Sequence, residues 1–154
     1  MRKIELQDVI DTNLPIDEVV QRIMDFCNQN QIKIKEMNDK VINGMYGSRF
    51  KAHTKGMLAE PSILPVKISI NFQDKGNSTG LNVLMKEGFI GFPPLGMNKK
   101  YPIIFARLMN NLKLQFYKEM SIKEDTSKCN NCGKDIFYKN QRYCEVCGYE
   151  LLKI

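Results

Sequence analysis

Two cysteine pairs near the C-terminus constrain this chain more than any other feature: Cys129-Asn130-Asn131-Cys132-Gly133 and Cys144-Glu145-Val146-Cys147-Gly148. Two residues between cysteines let one tight turn aim both sulfurs at a single ion. A glycine after each pair permits the open backbone through which amides hydrogen-bond to the thiolates. Four soft sulfur ligands select a tetrahedral ion, so one Zn2+ is the expected cofactor, held by Cys129, Cys132, Cys144 and Cys147. Four protein ligands leave no open coordination position, which makes the site structural in expectation, not catalytic or redox-active. A segment as short as 129–154 also needs its metal in order to fold.

Between the pairs, residues 133–143 suit a hairpin of Ile136-Phe137-Tyr138 against Arg142-Tyr143, turning at Lys139-Asn140. This module resembles the short zinc ribbons at the ends of many bacterial proteins. Those commonly carry a proline inside the first knuckle, where this chain has Asn130 and Asn131. With its coordination closed, the zinc is expected to act as a fold stabiliser and the module as a docking surface.

Cysteine usage also bears on location. Cys27 lies on an apolar helical stripe and reads as a buried, inert thiol. The other cysteines sit in metal-type pairs and are not scattered as in a secreted disulfide scaffold, which points to the cytoplasm. The opening residues, MRKIELQDVIDTN, turn polar where a secretory signal would become apolar. No run approaches the roughly 18 apolar residues that span a bilayer. The formal charge of +6 counts the cysteines as neutral thiols. Four thiolates and one Zn2+ bring it to about +4. With 23 basic residues against 17 acidic ones, charge permits nucleic-acid binding without demanding it.

Residues 1–120 carry the periodicities of an α+β domain. A strand is expected at 4–10, closed by Asp11, Thr12 and Asn13. A helix follows, with Pro15 at its first turn, Asp17 and Glu18 at its positive end, and Ile16, Val19, Val20, Ile23, Phe26 and Cys27 along one face. Four strand regions come next: 32–37 continuing into 41–46 past Asn38-Asp39, then 49–58, 66–73 and 79–86. In 66–73, Val66, Ile68, Ile70 and Phe72 alternate with Lys67, Ser69, Asn71 and Gln73, the pattern of a sheet with one buried face. Asp74-Lys75-Gly76-Asn77 makes a hairpin, and Leu81, Val83 and Met85 extend the apolar face. A final helix over 102–120 presents Ile104, Phe105, Leu108, Met109, Leu112 and Phe116. The polar stretch SIKEDTSK, 121–128, reads as a linker to the ribbon at 129–154.

The order strand, helix, four strands, helix resembles the TATA-binding-protein-like and START-type helix-grip topology, in which a curved antiparallel sheet wraps a C-terminal helix. That resemblance covers residues 1–120 and implies a fold. Architectures of this kind host DNA binding, lipid binding and scaffolding alike.

For chemistry the domain offers little. His53 is the single histidine, with Lys51 and Lys55 around it and no acidic or cysteine partner, so it reads as a solvated side chain and not a general base. Neither a glycine-rich phosphate loop nor a paired-carboxylate motif is present. A non-enzymatic binding or adaptor protein is therefore expected. Two apolar loops are its candidate surface: 56–65, with Met57, Leu58, Ile63 and Leu64, and 88–97, with Phe89, Ile90, Phe92, Leu95 and Met97. In a meander of the four later strands both loops fall at one end of the sheet. There they either plug the core or form a mouth for a protein partner, an apolar ligand or a peripheral membrane contact, with Lys99 and Lys100 beside it. Two alternatives remain. In a nucleic-acid binder, Lys51, Lys55, Lys67 and Lys86 would contact phosphates and Phe137, Tyr138 and Tyr143 would stack on bases. A small-molecule or lipid carrier would need a cavity of roughly 300 Å3 between sheet and last helix, which a core of Phe72, Val83, Phe105 and Leu108 would exclude.

Overall fold

The computed structural model describes residues 4–89, 96–117, 122–138 and 143–151, with the backbone alone at 57, 97, 122–127 and 137–138. Its centre is the alternating segment. In β4 (Val66–Asp74), Val66, Ile68, Ile70 and Phe72 are buried, and Lys67, Asn71 and Gln73 are exposed. The chain turns where Asp74 Oδ1 accepts the Gly76 amide at 2.8 Å. It returns as β5 (Thr79–Glu87), antiparallel to β4, with Leu81, Val83 and Met85 on the same buried face.

Three more strands extend the sheet. β1 (Glu5–Thr12) pairs with β5 on one side, β3 (Val41–Tyr46) pairs with β4 on the other, and β2 (Lys33–Met37) forms the far edge. The order is β1-β5-β4-β3-β2, antiparallel throughout. Because β1 and β2 are consecutive along the chain yet lie at opposite edges, the helix between them, α1 (Ile16–Gln29), must cross the sheet. It does so on the apolar side, burying Val19, Ile23, Phe26 and Cys27. The later helix, α3 (Tyr101–Leu114), buries Ile104, Phe105, Leu108 and Leu112 in the same cluster as Ile70, Phe72 and Val83. This is the α+β, helix-grip-like arrangement expected from the sequence.

Three expectations are corrected. Residues 49–58 form a short helix, α2 (Arg49–Lys55), followed by a 3-10 turn at Gly56–Leu58, not a strand. The alternation of basic and apolar residues there is overridden by local capping: Ser48 Oγ accepts the Lys51 amide at 3.3 Å, and Thr54 Oγ1 donates back to the Lys51 carbonyl. Four strands nevertheless lie between α1 and α3, because 32–37 and 41–46 are separate strands joined at Asn38, whose Oδ1 accepts the Lys40 and Val41 amides.

The last helix also stops early. It ends at Leu114, where the Arg22 guanidinium donates to the Gln115 carbonyl at 2.6 Å in place of another helical turn. Residues 118–120 of the expected helix lie outside the described residues. Residues 122–128, read as a linker, form strand β6 (Ile122–Lys128), which pairs with β7 (Asp135–Tyr138). β6 and β7 form a hairpin whose turn is the first cysteine knuckle, while the turn and Arg142 of the expected hairpin of 136–138 against 142–143 fall outside the described residues. Residues 139–142 lie outside the described residues.

Candidate functional site

The metal centre is built from two knuckles with one hydrogen-bond pattern. In the first, the Cys129 amide donates to the Lys134 carbonyl and the Gly133 amide to the Cys129 carbonyl, both at 2.8 Å. In the second, the Cys144 amide donates to the Tyr149 carbonyl and the Gly148 amide to the Cys144 carbonyl, again at 2.8 Å. Gly133 and Gly148 have positive φ, 69° and 72°, the left-handed geometry that a side chain resists. Each knuckle thus turns both of its thiols inward.

The four sulfurs converge. All lie within 4.8 Å of one another, with Cys129 Sγ 3.7 Å from Cys147 Sγ and Cys132 Sγ 3.6 Å from Cys144 Sγ. A tetrahedral ion with Zn–S bonds of about 2.3 Å needs sulfur–sulfur edges of about 3.8 Å. The donor set and the spacing therefore fit zinc. Although burial raises the Cys147 thiol, hydrogen bonds from the Asn131 side chain and the Tyr149 backbone, together with those of the neighbouring Cys132 and Cys144 thiols, bring it down to about 7. Asn131, inside the first knuckle, thus favours the Cys147 thiolate that a metal requires.

The ribbon is seated on α3. Tyr143 is buried in the main apolar cluster. Asn110, in the middle of α3, donates through Nδ2 to the Tyr143 carbonyl at 3.2 Å. A Cβ added to Gly148 would stand 2.6 Å from the Pro102 backbone, so the second knuckle lies directly against the start of α3. The metal centre is thereby tied to the helix that the sheet grips.

The first apolar loop and the start of the second, Gly88 and Phe89, meet at one end of the sheet. Tyr46 at the end of β3 pairs with Val66 at the start of β4, which pairs with Glu87 at the end of β5. From there the Gly88 amide donates to the Pro65 carbonyl at 2.7 Å, and Arg49 Nε donates to the Gly88 carbonyl at 2.7 Å. Lys100 Nζ donates to the Ala59 carbonyl at 2.6 Å, and the His53 ring meets the Phe89 ring edge-on at 5.3 Å. His53, expected on a strand, instead sits on α2 as a packing partner.

Of the residues expected to line this end, Leu64 and Phe89 are buried and Ile63 is half-buried. They close the core. Leu58 points outward at 86% exposure, and Phe50 of α2 is 78% exposed. Phe50 escaped the sequence reading because a strand assignment gave it no distinctive face; its place between Arg49 and Lys51 on a short helix was the available signal. At Met57 and Met97 only the backbone is described, and Ile90, Phe92 and Leu95 lie outside the described residues. Lys51, Lys55 and Lys99 are exposed near the same end.

The lysines grouped in the nucleic-acid alternative are divided. Lys51 and Lys55 are on α2, whereas Lys67 and Lys86 face each other across β4 and β5. Helix formation at 49–55 is what separates them. Between sheet and α3, the space a carrier would need is occupied by Phe72, Val83, Phe105 and Leu108, all buried. Sequence reasoning also missed a buried ion pair, Lys113 Nζ of α3 to Asp8 Oδ2 of β1 at 2.8 Å, with side chains 11% and 4% exposed. The inward register of Ile4, Leu6 and Ile10 was the signal for Asp8.

A helix-grip-like domain carrying a four-cysteine centre is the class that fold and site define. No protein-family model and no curated protein matches the chain. Among solved structures, the crystal structure of Ara h 8.0201 aligns with a TM-score of 0.46 at 10% identity, covering 76% of this chain and 97% of that one. The crystal structure of TTHA0849 from Thermus thermophilus aligns with a TM-score of 0.39 at 9% identity, covering 77% of this chain and 100% of that one. At such scores the fold assignment rests on the strand order itself. No helix among the described residues is long and apolar enough to cross a membrane.

Proposed function

We propose that this is a non-enzymatic binding or adaptor protein that docks a protein partner at the loop end of the grip domain, with one structural Zn2+ in the ribbon. The observation that carries the reading is the exposure of two large apolar side chains close in sequence, Phe50 at 78% on α2 and Leu58 at 86% at the end of the turn that follows it. Large apolar side chains on a braced scaffold supply anchor residues at little cost in ordering. Lys51, Lys55 and Lys99 nearby favour a partner whose apolar pocket has an acidic rim. Three features count against an enzyme. The four thiolates fill the coordination of a zinc ion, His53 packs on Phe89, and burial pushes the Cys27 thiol up to about 11, where it is a poor nucleophile.

The test is affinity capture from a host-cell extract with the zinc-loaded chain and its Phe50→Ala/Leu58→Ala variant. Both positions are exposed, so folding stability should move by less than about 0.5 kcal/mol. The expected result is a stoichiometric protein partner whose retention falls at least about tenfold in the variant. Equal capture by both chains, or retention of the wild type only on anionic vesicles, would overturn the reading.

A further inference from the structure

The face of the sheet opposite the helices holds a hollow of about 410 Å3, lined chiefly by Lys35, Asn43, Met45, Lys67, Ser69, Leu84 and Lys86. Its volume lies within the range of small-ligand clefts, roughly 300–1,000 Å3. The alternation that builds the core explains its composition. Outward positions of β3, β4 and β5 are polar or basic, but Met45 and Leu84 are outward too and only half-buried, giving the hollow an aliphatic floor. Such residues on a solvent face are out of pattern for a sheet with one buried side.

The strand pairing adds a third cation. Ile34 pairs with Gly44 and Glu36 with Asn43, leaving Lys35 as the extra residue of a β-bulge. A bulge re-aims the side chain of its unpaired residue. Here that residue joins Lys67 and Lys86 around the floor. Among the described residues the ammonium groups of Lys35 and Lys67 form no ion pair or hydrogen bond. The two nearby acids engage residues of the lining itself, Glu36 accepting from Asn43 Nδ2 at 2.8 Å and Glu5 pairing with Lys86 at 3.4 Å, so the cations left to meet a ligand are Lys35 and Lys67. Positive charge is thus available at an apolar surface.

The chemistry selects the occupant. Single-stranded nucleic acid is gripped by aromatic stacking platforms, and no aromatic side chain lines this hollow. We propose that it binds one anionic aliphatic molecule. The alkyl chain lies over Met45 and Leu84, and a carboxylate or phosphate head group is held by Lys35 and Lys67, with Lys86 beside them. This site is separate from the loop end and does not depend on what docks there.

The probe is dodecanoate below its micelle concentration, titrated into the full, isotope-labelled, zinc-loaded chain at low salt and followed by amide chemical shifts. Dodecyltrimethylammonium, inorganic phosphate and phosphatidylglycerol vesicles are run alongside. The expected result is saturable shifts at Asn43, Met45, Ser69 and Leu84. Affinity should fall at least about tenfold in Lys35→Gln/Lys67→Gln, both charge-assisted contacts having been removed. The ammonium analogue and phosphate alone should each bind far more weakly. Equal affinity for the cationic analogue, an unchanged affinity in the variant, shifts confined to other surfaces, no saturable shift, or binding to vesicles alone would overturn it. Because every substituted side chain is on the solvent face, the variant keeps the fold, and unchanged amide shifts away from the hollow verify that.

Discussion

The grip domain and the ribbon are held together by different physics. In the first, one cluster joins α1, α3 and the inward apolar side chains of the sheet, from Ile10 and Ile23 to Val83 and Leu108. In the second, the buried cluster among the described residues is Cys129, Ile136 and Cys144. A cluster of that size cannot offset the conformational entropy of ordering its segment, whereas four metal–thiolate bonds would. Stability by burial is spread over many side chains and tolerates local change. Stability by coordination is concentrated in four atoms and vanishes with any one of them. The seam at Asn110, Tyr143 and Gly148 is where the two regimes meet.

The largest expected effect separates the two regions outright. Cys144→Ser should abolish the bound zinc, measured by metal analysis after gel filtration, since apparent binding energies at structural sites of this kind are about 10–16 kcal/mol. The grip domain should still give a cooperative thermal transition; loss of that transition as well would mean one shared core. Next comes a change confined to the grip domain. Asp8→Asn strands Lys113 in the interior and should cost about 3–5 kcal/mol in urea unfolding, with zinc content unchanged. The double change Asp8→Leu/Lys113→Met should recover most of that loss, because replacing both partners of a buried pair by apolar groups is often neutral.

A smaller effect sets the regions against each other by pH. Burial pushes the Cys27 thiol from about 9 up to about 11, and burial, followed by the Glu87 charge, raises the Tyr101 phenol. Both groups stay neutral in the folded state and ionise sooner in the unfolded chain. Their contribution is therefore complete below pH 9 and is lost from there upward, by at most about 1.4 kcal/mol per pH unit for each group. Zinc binding runs the other way, since protons compete for thiolates. Urea midpoints across pH should show alkali eroding the grip domain first, while metal release should mark acid as the ribbon's weakness. A grip domain whose stability is flat from pH 8 to 11 would contradict the burial of Cys27 and Tyr101.

The sequence was most informative where one periodicity or one ligand pattern dominates. Val66 to Gln73 announced a half-buried strand, Ile16 to Cys27 a helix, and the cysteine pairs a metal centre with its two glycines in place. Failure came where short-range alternation competed with capping, at Arg49 to Lys55, because a seven-residue helix carries too few turns to display its own period. The strand at 122–128 was hidden for another reason. A polar segment reads as a linker unless its partner is known, and that partner, β7, is brought back by the knuckle between them. Contacts across the fold, such as Asp8 with Lys113 or Gly148 against Pro102, leave no local trace at all.

Hydrogen exchange, read residue by residue on the zinc-loaded and the zinc-stripped chain, tests most directly the division between a self-sufficient grip domain and a metal-held ribbon. The expected result is loss of protection in β6, β7 and both knuckles, with a lesser loss at α3 near Asn110, while β4, β5 and α1 keep theirs. Loss of protection throughout β4 and β5, or an unchanged ribbon after zinc removal, would contradict it.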